Sequence, residues 1–458
     1  MVANSDLIIT NFPAQPGNRN PLKQRSNGTQ PAHLQIERVP ARLRARLLAG
    51  ARGTSSRARA ALPRGGARCG LASWHGLIAA DFPRTLVRSA APDWGRAVTP
   101  PGVYADPRAQ RACWHPVGYS SDLTSGPAHA DLLGEPLVLW RGPSGEPRAM
   151  SDLCVHRGTA LSLGSVSGDE IVCPYHGWRY AADGRCVAIP QLENPALVPV
   201  KARVPAFRIQ ERYGLIWVAL EEPRWPLPEV PELGDAAWAV VSAGPYRWNC
   251  DAARQVENFT DFGHFPWVHP GLLGDPERPV VPRHEVRTEG HVLHYSIVRP
   301  EAPGTDSFPV FANEQASLPE RRSRYELHLP YTIVLRLDWG GQRGMVYLFA
   351  AQPVADERCA GYVVVGRNYN FDQSALVIRE FENTIFGQDQ VVVESQRPDR
   401  VPFDLAAELH LKFDAVAVAY RKAMRALGLA ADAPASRHRE TAGAGPRQAG
   451  QASELTRE

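Results

Sequence analysis

The chain has 458 residues, 44% hydrophobic and 22% charged, enough for two domains with substantial cores, and no apolar run approaches the roughly 20 residues that span a bilayer. Its formal charge of +3 is unevenly placed: residues 1–105 hold 15 Lys and Arg against 4 Asp and Glu, an excess of 11 that leaves the remainder at −8. The part expected to fold is therefore acidic, which removes the electrostatic argument for nucleic acid or an anionic membrane as partner.

In chain order, residues 1–105 are rich in Arg, Ala, Gly, Pro and Ser, with little apolar periodicity. Such a stretch cannot bury enough surface to offset its ordering entropy, so it is expected to be a disordered basic leader or an extension, ahead of a transit peptide. Residues 106–222 carry short β-like runs at 137–140, 171–173 and 214–220 between turn signals, which predict a small all-β domain. A Pro-rich connector follows at 223–231.

Residues 223–429 mix helix and strand signals. Helical spacing occurs at 258–264, strand patterns at 331–337, 345–350 and 362–366, and longer helical patterns at 373–395 and 404–427. In the last of these, Leu409, Val416, Tyr420 and Met424 fall on or near one face. The mixture predicts an α+β domain with an antiparallel sheet covered by helices on one side, and residues 430–458 read as a disordered tail.

Seven cysteines, at 69, 113, 154, 173, 186, 250 and 359, are an odd number with no secretory h-region ahead of them, which argues for a reducing, cytoplasmic setting and against a disulfide scaffold. Two are paired with histidines. Cys154-Val155-His156-Arg157-Gly158 and Cys173-Pro174-Tyr175-His176-Gly177-Trp178 are short loops, each presenting one thiolate and one imidazole. Two cysteines for one iron and two histidines for the other are what a high-potential [2Fe-2S] cluster requires. A Cys2His2 zinc site is the alternative, although zinc more often takes Cys-X2-Cys with His-X3-His. Gly158 and Gly177 let each loop turn sharply. Cys186 lies outside the pattern and reads as a buried thiol.

The stretch CVHRGTALSLGSVSGDEIVCPYHGWRYAADGRCVAIPQ resembles the Rieske domain of ring-hydroxylating and demethylating oxygenases over its whole length. The resemblance implies that Cys154 and Cys173 hold one iron and that His156 and His176 hold the other. It also implies an N-terminal all-β Rieske domain followed by a catalytic domain of helix-grip, START-like type.

A Rieske domain alone is compatible with a simple electron carrier, so the second constellation is the discriminating one. In 257–269, Asn258, Asp261 and His264 are spaced i, i+3, i+6 and are expected to share a helix face, with Pro266 ending or kinking the helix so that His269 reaches the same metal as His264. Two histidines and one carboxylate on one face of Fe(II) leave positions open for O2 and substrate. By resemblance to the oxygenase pattern of an Asp before an apolar run and Glu-X-Gln, the carboxylate is Asp389, with Glu394 and Glu382 as competitors. The resemblance further implies that Asp261 bridges His264 to His176 of the partner subunit, which calls for a head-to-tail homotrimer.

Two residues between Asn258 and Asp261 resemble the vanillate, dicamba and phthalate branch, which implies monooxygenation of an aromatic or polycyclic small molecule by hydroxylation or O- or N-demethylation. A ring-dihydroxylating dioxygenase and a non-catalytic Rieske electron carrier are the alternatives. The chain carries no dinucleotide-binding fingerprint, so electrons from NAD(P)H are expected through a separate reductase or ferredoxin. Strand alternation nominates Tyr331, Leu335, Trp339, Tyr347 and Phe349 for the pocket, within about 271–379.

Overall fold

Strands with apolar residues on both faces build the larger sheet, as in Thr332–Asp338 and Gly344–Ala355, where nearly every side chain is buried. The computed structural model describes residues 100–124, 126–299, 320–340 and 343–433. Seven antiparallel strands run in the order Ala239–Trp248, Arg358–Arg367, Gly344–Ala355, Thr332–Asp338, Arg321–His328, Val292–Arg299 and Val286–Glu289. Leu335 pairs with Tyr347, and Tyr347 with Val365, so one face carries a continuous row of these side chains.

The helices are α1 (Pro107–Gln110), α2 (Ala252–Thr260), α3 (Phe265–Val268), α4 (Ala375–Val393) and α5 (Ala415–Ala426). Val256 of α2, Phe386 of α4 and Val416, Tyr420 and Met424 of α5 share one hydrophobic cluster with Leu335, Tyr347, Phe349 and Val365. Alternation sends Val334, Val346, Leu348, Tyr362 and Val364 to the opposite face, where they meet Tyr119, Leu215, Trp217, Leu227 and Val230. The sheet is thus sandwiched between the helices and the N-terminal β region, in agreement with the expected α+β class.

That β region has one sheet of Ala128–Leu132, Glu135–Arg141 and Pro147–Ser151, and another of Arg208–Arg212, Leu215–Ala219 and His115–Tyr119. Four short strands, Ser165–Ser167, Glu170–Val172, Arg179–Tyr180 and Cys186–Ala188, form a third. The two Cys/His loops project from this framework, one after Pro147–Ser151 and the other between Glu170–Val172 and Arg179–Tyr180.

Three local expectations are corrected. The helix carrying Asn258 ends at Thr260, because Asp261 is extended (φ −82°, ψ 141°); Asn258, Asp261 and His264 therefore do not share a helix face. Pro266 does not end that helix but sits in the first turn of α3, where its missing N–H costs nothing. The helix expected over 404–427 is regular only from Ala415, and Leu409 is 87% exposed.

The segment boundaries also move: Gly102–Ala105 pairs antiparallel with Ala430–Ala433, so these residues are sheet and belong to neither leader nor tail. Residues 1–99 and 434–458, where the rest of the leader and tail fall, lie outside the described residues. Among the described residues no helix is long and apolar enough to cross a membrane, and the six cysteines are all free thiols.

Candidate metal centres

The two Cys/His loops have matching backbones. In the first, Cys154 N donates to Thr159 O (2.9 Å) and Gly158 N to Cys154 O (2.8 Å); in the second, Cys173 N donates to Trp178 O (2.8 Å) and Gly177 N to Cys173 O (3.0 Å). Gly158 (φ +69°) and Gly177 (φ +70°) take the left-handed turn that closes each loop, which costs a glycine little. Asp152 anchors the first loop by accepting from Ser162 N (2.6 Å) and Ser162 Oγ (2.7 Å).

Both thiols are buried, and the His156 and His176 rings lie 4.7 Å apart between centroids. His156 stacks on Trp178 at 4.5 Å and 3°. Tyr180 Oη lies 3.0 Å from Cys154 Sγ, and Gln191 Nε2 donates to His176 O at 2.8 Å. Burial, together with the neighbouring Cys154 thiol, raises the Cys173 pKa, a cost that a bound metal would remove by taking the thiolate. The buried His156 Nδ1 has no hydrogen-bond partner. Two adjacent thiols, two adjacent imidazoles and an orphaned ring nitrogen fit a cluster with mixed sulfur and nitrogen ligands. Cys186 is buried beside this set, with its sulfur 3.5 Å from Ala188 O.

The second constellation forms where α2, α3 and α4 meet. Asp251 caps α2 by accepting from Arg254 N (2.9 Å), while His264 and His269 sit at the two ends of α3. A single turn of helix thus brings together two histidines five positions apart, with rings 5.2 Å apart at 73°. His264 Nε2, His269 Nε2 and a carboxylate oxygen of Asp389 on α4 all lie within 4.8 Å of one another.

The other ring nitrogens fix the tautomers. His264 Nδ1 donates to Asp261 Oδ2 and His269 Nδ1 to Gln388 Oε1, both at 2.8 Å, so each Nε2 is left with its lone pair. His269 Nε2 is 3.0 Å from Asp389 Oδ1 yet makes no hydrogen bond, and with the ring proton on Nδ1 neither atom has a hydrogen to donate. Asn258 Nδ2 donates to Asp389 Oδ1 at 3.1 Å and orients that carboxylate. Two basic nitrogens and one carboxylate, all buried or nearly so, fit a facial site for Fe(II).

Burial alone would raise the Asp261 pKa, but the hydrogen bonds from His264 Nδ1 (2.8 Å), His264 N (2.9 Å) and Gly263 N (3.1 Å) hold it below the ordinary carboxylate value. The competitors for the third position lie elsewhere. Glu394 accepts from Asn249 N and Gln390 Nε2, both at 2.8 Å, and Glu382 lines the pocket two helical turns from Asp389.

The pocket opens directly onto His264, His269 and Asp389, with Phe259, Phe265, Tyr325, Ile385 and Phe386 among its apolar walls. Of the expected pocket residues, Leu335 and Tyr347 line it; Tyr331 lines a separate cavity, and Trp339 and Phe349 line neither. Gln388, Tyr180, Arg321 and Ser323 were not foreseen in these positions, and Glu382, expected as a competitor for the third iron position, lines the pocket instead. Gln388 immediately precedes Asp389, and Glu382 lies seven residues before Asp389 on one face of a helix, which are the local signals that point to them.

Residues 113–208 match the Rieske [2Fe-2S] domain model, and residues 248–430 match the vanillate O-demethylase oxygenase C-terminal domain model. The methylxanthine N1-demethylase of Pseudomonas putida is 34% identical over 330 residues, 69% of this chain and 89% of that protein. The methylxanthine N3-demethylase of the same organism is 31% identical, over 70% of this chain and 90% of its own. The solved structure of the N1-demethylase with caffeine superposes with a TM-score of 0.62 at 32% identity, covering 69% of this chain and 91% of that one. Dicamba monooxygenase bound to dicamba shares the fold at 22% identity, with a TM-score of 0.59 over 69% of this chain and 97% of its own.

Proposed function

The chain belongs to the Rieske non-heme iron oxygenases, as a terminal oxygenase component, and we propose that Cys154, Cys173, His156 and His176 carry its [2Fe-2S] cluster while His264, His269 and Asp389 hold its Fe(II). The observation that carries this reading is the convergence of His264 Nε2, His269 Nε2 and Asp389 at the end of an apolar pocket. When bound, the cluster supplies one-electron reduction and the ferrous ion supplies O2 activation at a substrate C–H bond.

The chain's own residues prepare the site. Asp261 and Gln388 hold protons on the two Nδ1 atoms, and Asn258 keeps Asp389 turned inward. The aromatic wall favours a flat molecule, and Arg321, Ser323 and Glu382 are polar groups within the same lining. In this reading electrons come from NAD(P)H through a separate reductase or ferredoxin, which similarity to proteins named as one component of a monooxygenase system supports. We read the reaction as hydroxylation or O- or N-demethylation of an aromatic or polycyclic small molecule; similarity to the methylxanthine demethylases supports N-demethylation first. The free thiols suit a reducing compartment such as the cytoplasm. Asp261 also has an outward role in this reading, accepting from His176 of the partner subunit in a head-to-tail homotrimer.

The test is reconstitution with iron and a reductase of this class, followed by assay of methylated aromatic and heteroaromatic compounds for formaldehyde matched to O2 uptake. About three irons per chain are expected. Asp389→Ala should keep the visible spectrum of the cluster, lose about one iron per chain and lose turnover. Full turnover in Asp389→Ala would reject the third ligand. About two irons in the parent chain would make it an electron carrier, and a cis-diol product without formaldehyde would favour ring dihydroxylation.

A further inference from the structure

Among the described residues Glu382 is the one acidic side chain lining the iron-site pocket besides Asp389, and it is 3% exposed. The Tyr347 hydroxyl bonds to its carboxyl, while its Oε1 has no hydrogen-bond partner. An unpaired buried carboxyl oxygen costs roughly 1–3 kcal/mol, so it persists in a pocket when a ligand completes it. Burial raises the Glu382 pKa to about 8, so the group is mainly a neutral acid at neutral pH. In its acid form the carboxyl can donate one hydrogen bond, and Oε1 is the oxygen left without a partner for it.

Its position sets a length. Glu382 lies seven residues before Asp389 on α4, which at 1.5 Å per residue separates them by about 10 Å along the helix, and both line the pocket. That span suits two fused rings lying lengthwise with a methyl-bearing edge at the Asp389 end. Arg321, 6% exposed, lines the same cavity from the facing sheet.

We propose that Glu382 is a specificity-determining residue, whose carboxylic acid donates a hydrogen bond to a ring carbonyl or ring nitrogen on the far edge of a neutral bicyclic substrate. This rests on the oxygenase reading for the orientation of the methyl group, while the recognition itself is a binding event. Three probes of one shape test it: a methoxyquinolone with its carbonyl on the edge away from the methoxy group, methoxynaphthalene, and an N-methylated methoxyquinolinium cation.

Titration calorimetry on the full-length chain with both iron centres loaded and without O2 should show the quinolone binding at least about tenfold tighter than either comparator, one hydrogen bond's worth. Glu382→Leu should erase that preference while methoxynaphthalene binds as well as before, and Glu382→Gln, which keeps a donor, should retain it. An unchanged cluster spectrum identifies variants that fold. Equal binding of the probes, no binding of the quinolone, or a preference that survives in Glu382→Leu would overturn the assignment. Preferential binding without product once reductase and O2 are added would instead count against the oxygenase reading and leave the recognition standing.

Discussion

Keeping Glu382 as a buried acid has a consequence for stability that can be separated from its role in binding. Its pKa is raised to about 8 by burial, with only the Tyr347 hydrogen bond acting the other way. In the unfolded chain the same group ionises in the ordinary carboxylate range. Below that range both states are protonated and folding is not penalised. Between there and about pH 8 the unfolded state releases a proton that the folded state retains, so stability falls by on the order of 1 kcal/mol per pH unit, and it levels off above. Glu382→Gln removes this dependence. The melting-temperature gap between Glu382→Gln and the parent should therefore widen from pH 5 to pH 8; parallel melting curves would reject the buried acid. At this scale the residues proposed as metal ligands were legible because cluster and facial iron sites impose residue types at short spacings. Gln388 was not, and Glu382 was legible only as a rival iron ligand, since what they touch depends on how α4 packs against α3 and the sheet.

Among the elements, strands were read more accurately than helix ends. The runs at 331–337, 345–350 and 362–366 are all strands, because apolar residues on both faces can only be buried between two layers. The break after Thr260 escaped notice because Asp261 spends its carboxylate on Gly263 N and His264 N, a local competitor for helix continuation that composition does not reveal. The irregular stretch before α5 likewise depends on tertiary contacts. Arg421 of α5, 2% exposed, reaches Glu257 of α2 through Nε (2.6 Å) and Nη2 (2.7 Å), Pro402 O through Nη1 (2.9 Å), and Glu408 in the irregular segment. One guanidinium thus ties α5, the helix of Asn258 and the segment between. Arg421→Ala strands a mostly buried carboxylate and should cost about 3–5 kcal/mol, read as an earlier denaturation midpoint. Replacing Glu257 by Leu and Arg421 by Met together should recover part of the loss. If the single variant melts like the parent, this network does not hold α5.

For the whole molecule, the sheet has two jobs that its two faces keep apart. One face carries the helices, the iron site and the pocket; the other packs on the β region that bears the Cys/His loops. The chain therefore holds its two centres in one structure, and the proposed role of Asp261 is to couple them between chains. Its carboxylate is 35% exposed although it fixes the His264 tautomer, and Oδ1 is engaged by Gly263 N alone at 3.1 Å. An acceptor oxygen left at the surface beside an iron ligand is suited to an imidazole N–H from another chain, and His176 is partly exposed on its own loop. Asp261→Asn keeps the size but not the charge, and its amide nitrogen cannot accept from both rings. The expected outcome is a protein with the parent's iron content and a cluster that its reductase still reduces, but with O2 uptake and product formation reduced by 10-fold or more, roughly the cost of losing such a partner. Sedimentation or light scattering on the parent should give three chains, and dilution that dissociates them should lower activity per chain. A monomer that turns over at the full rate, or Asp261→Asn with unaltered turnover, would remove the intersubunit route and leave Asp261 as a tautomer-fixing residue only.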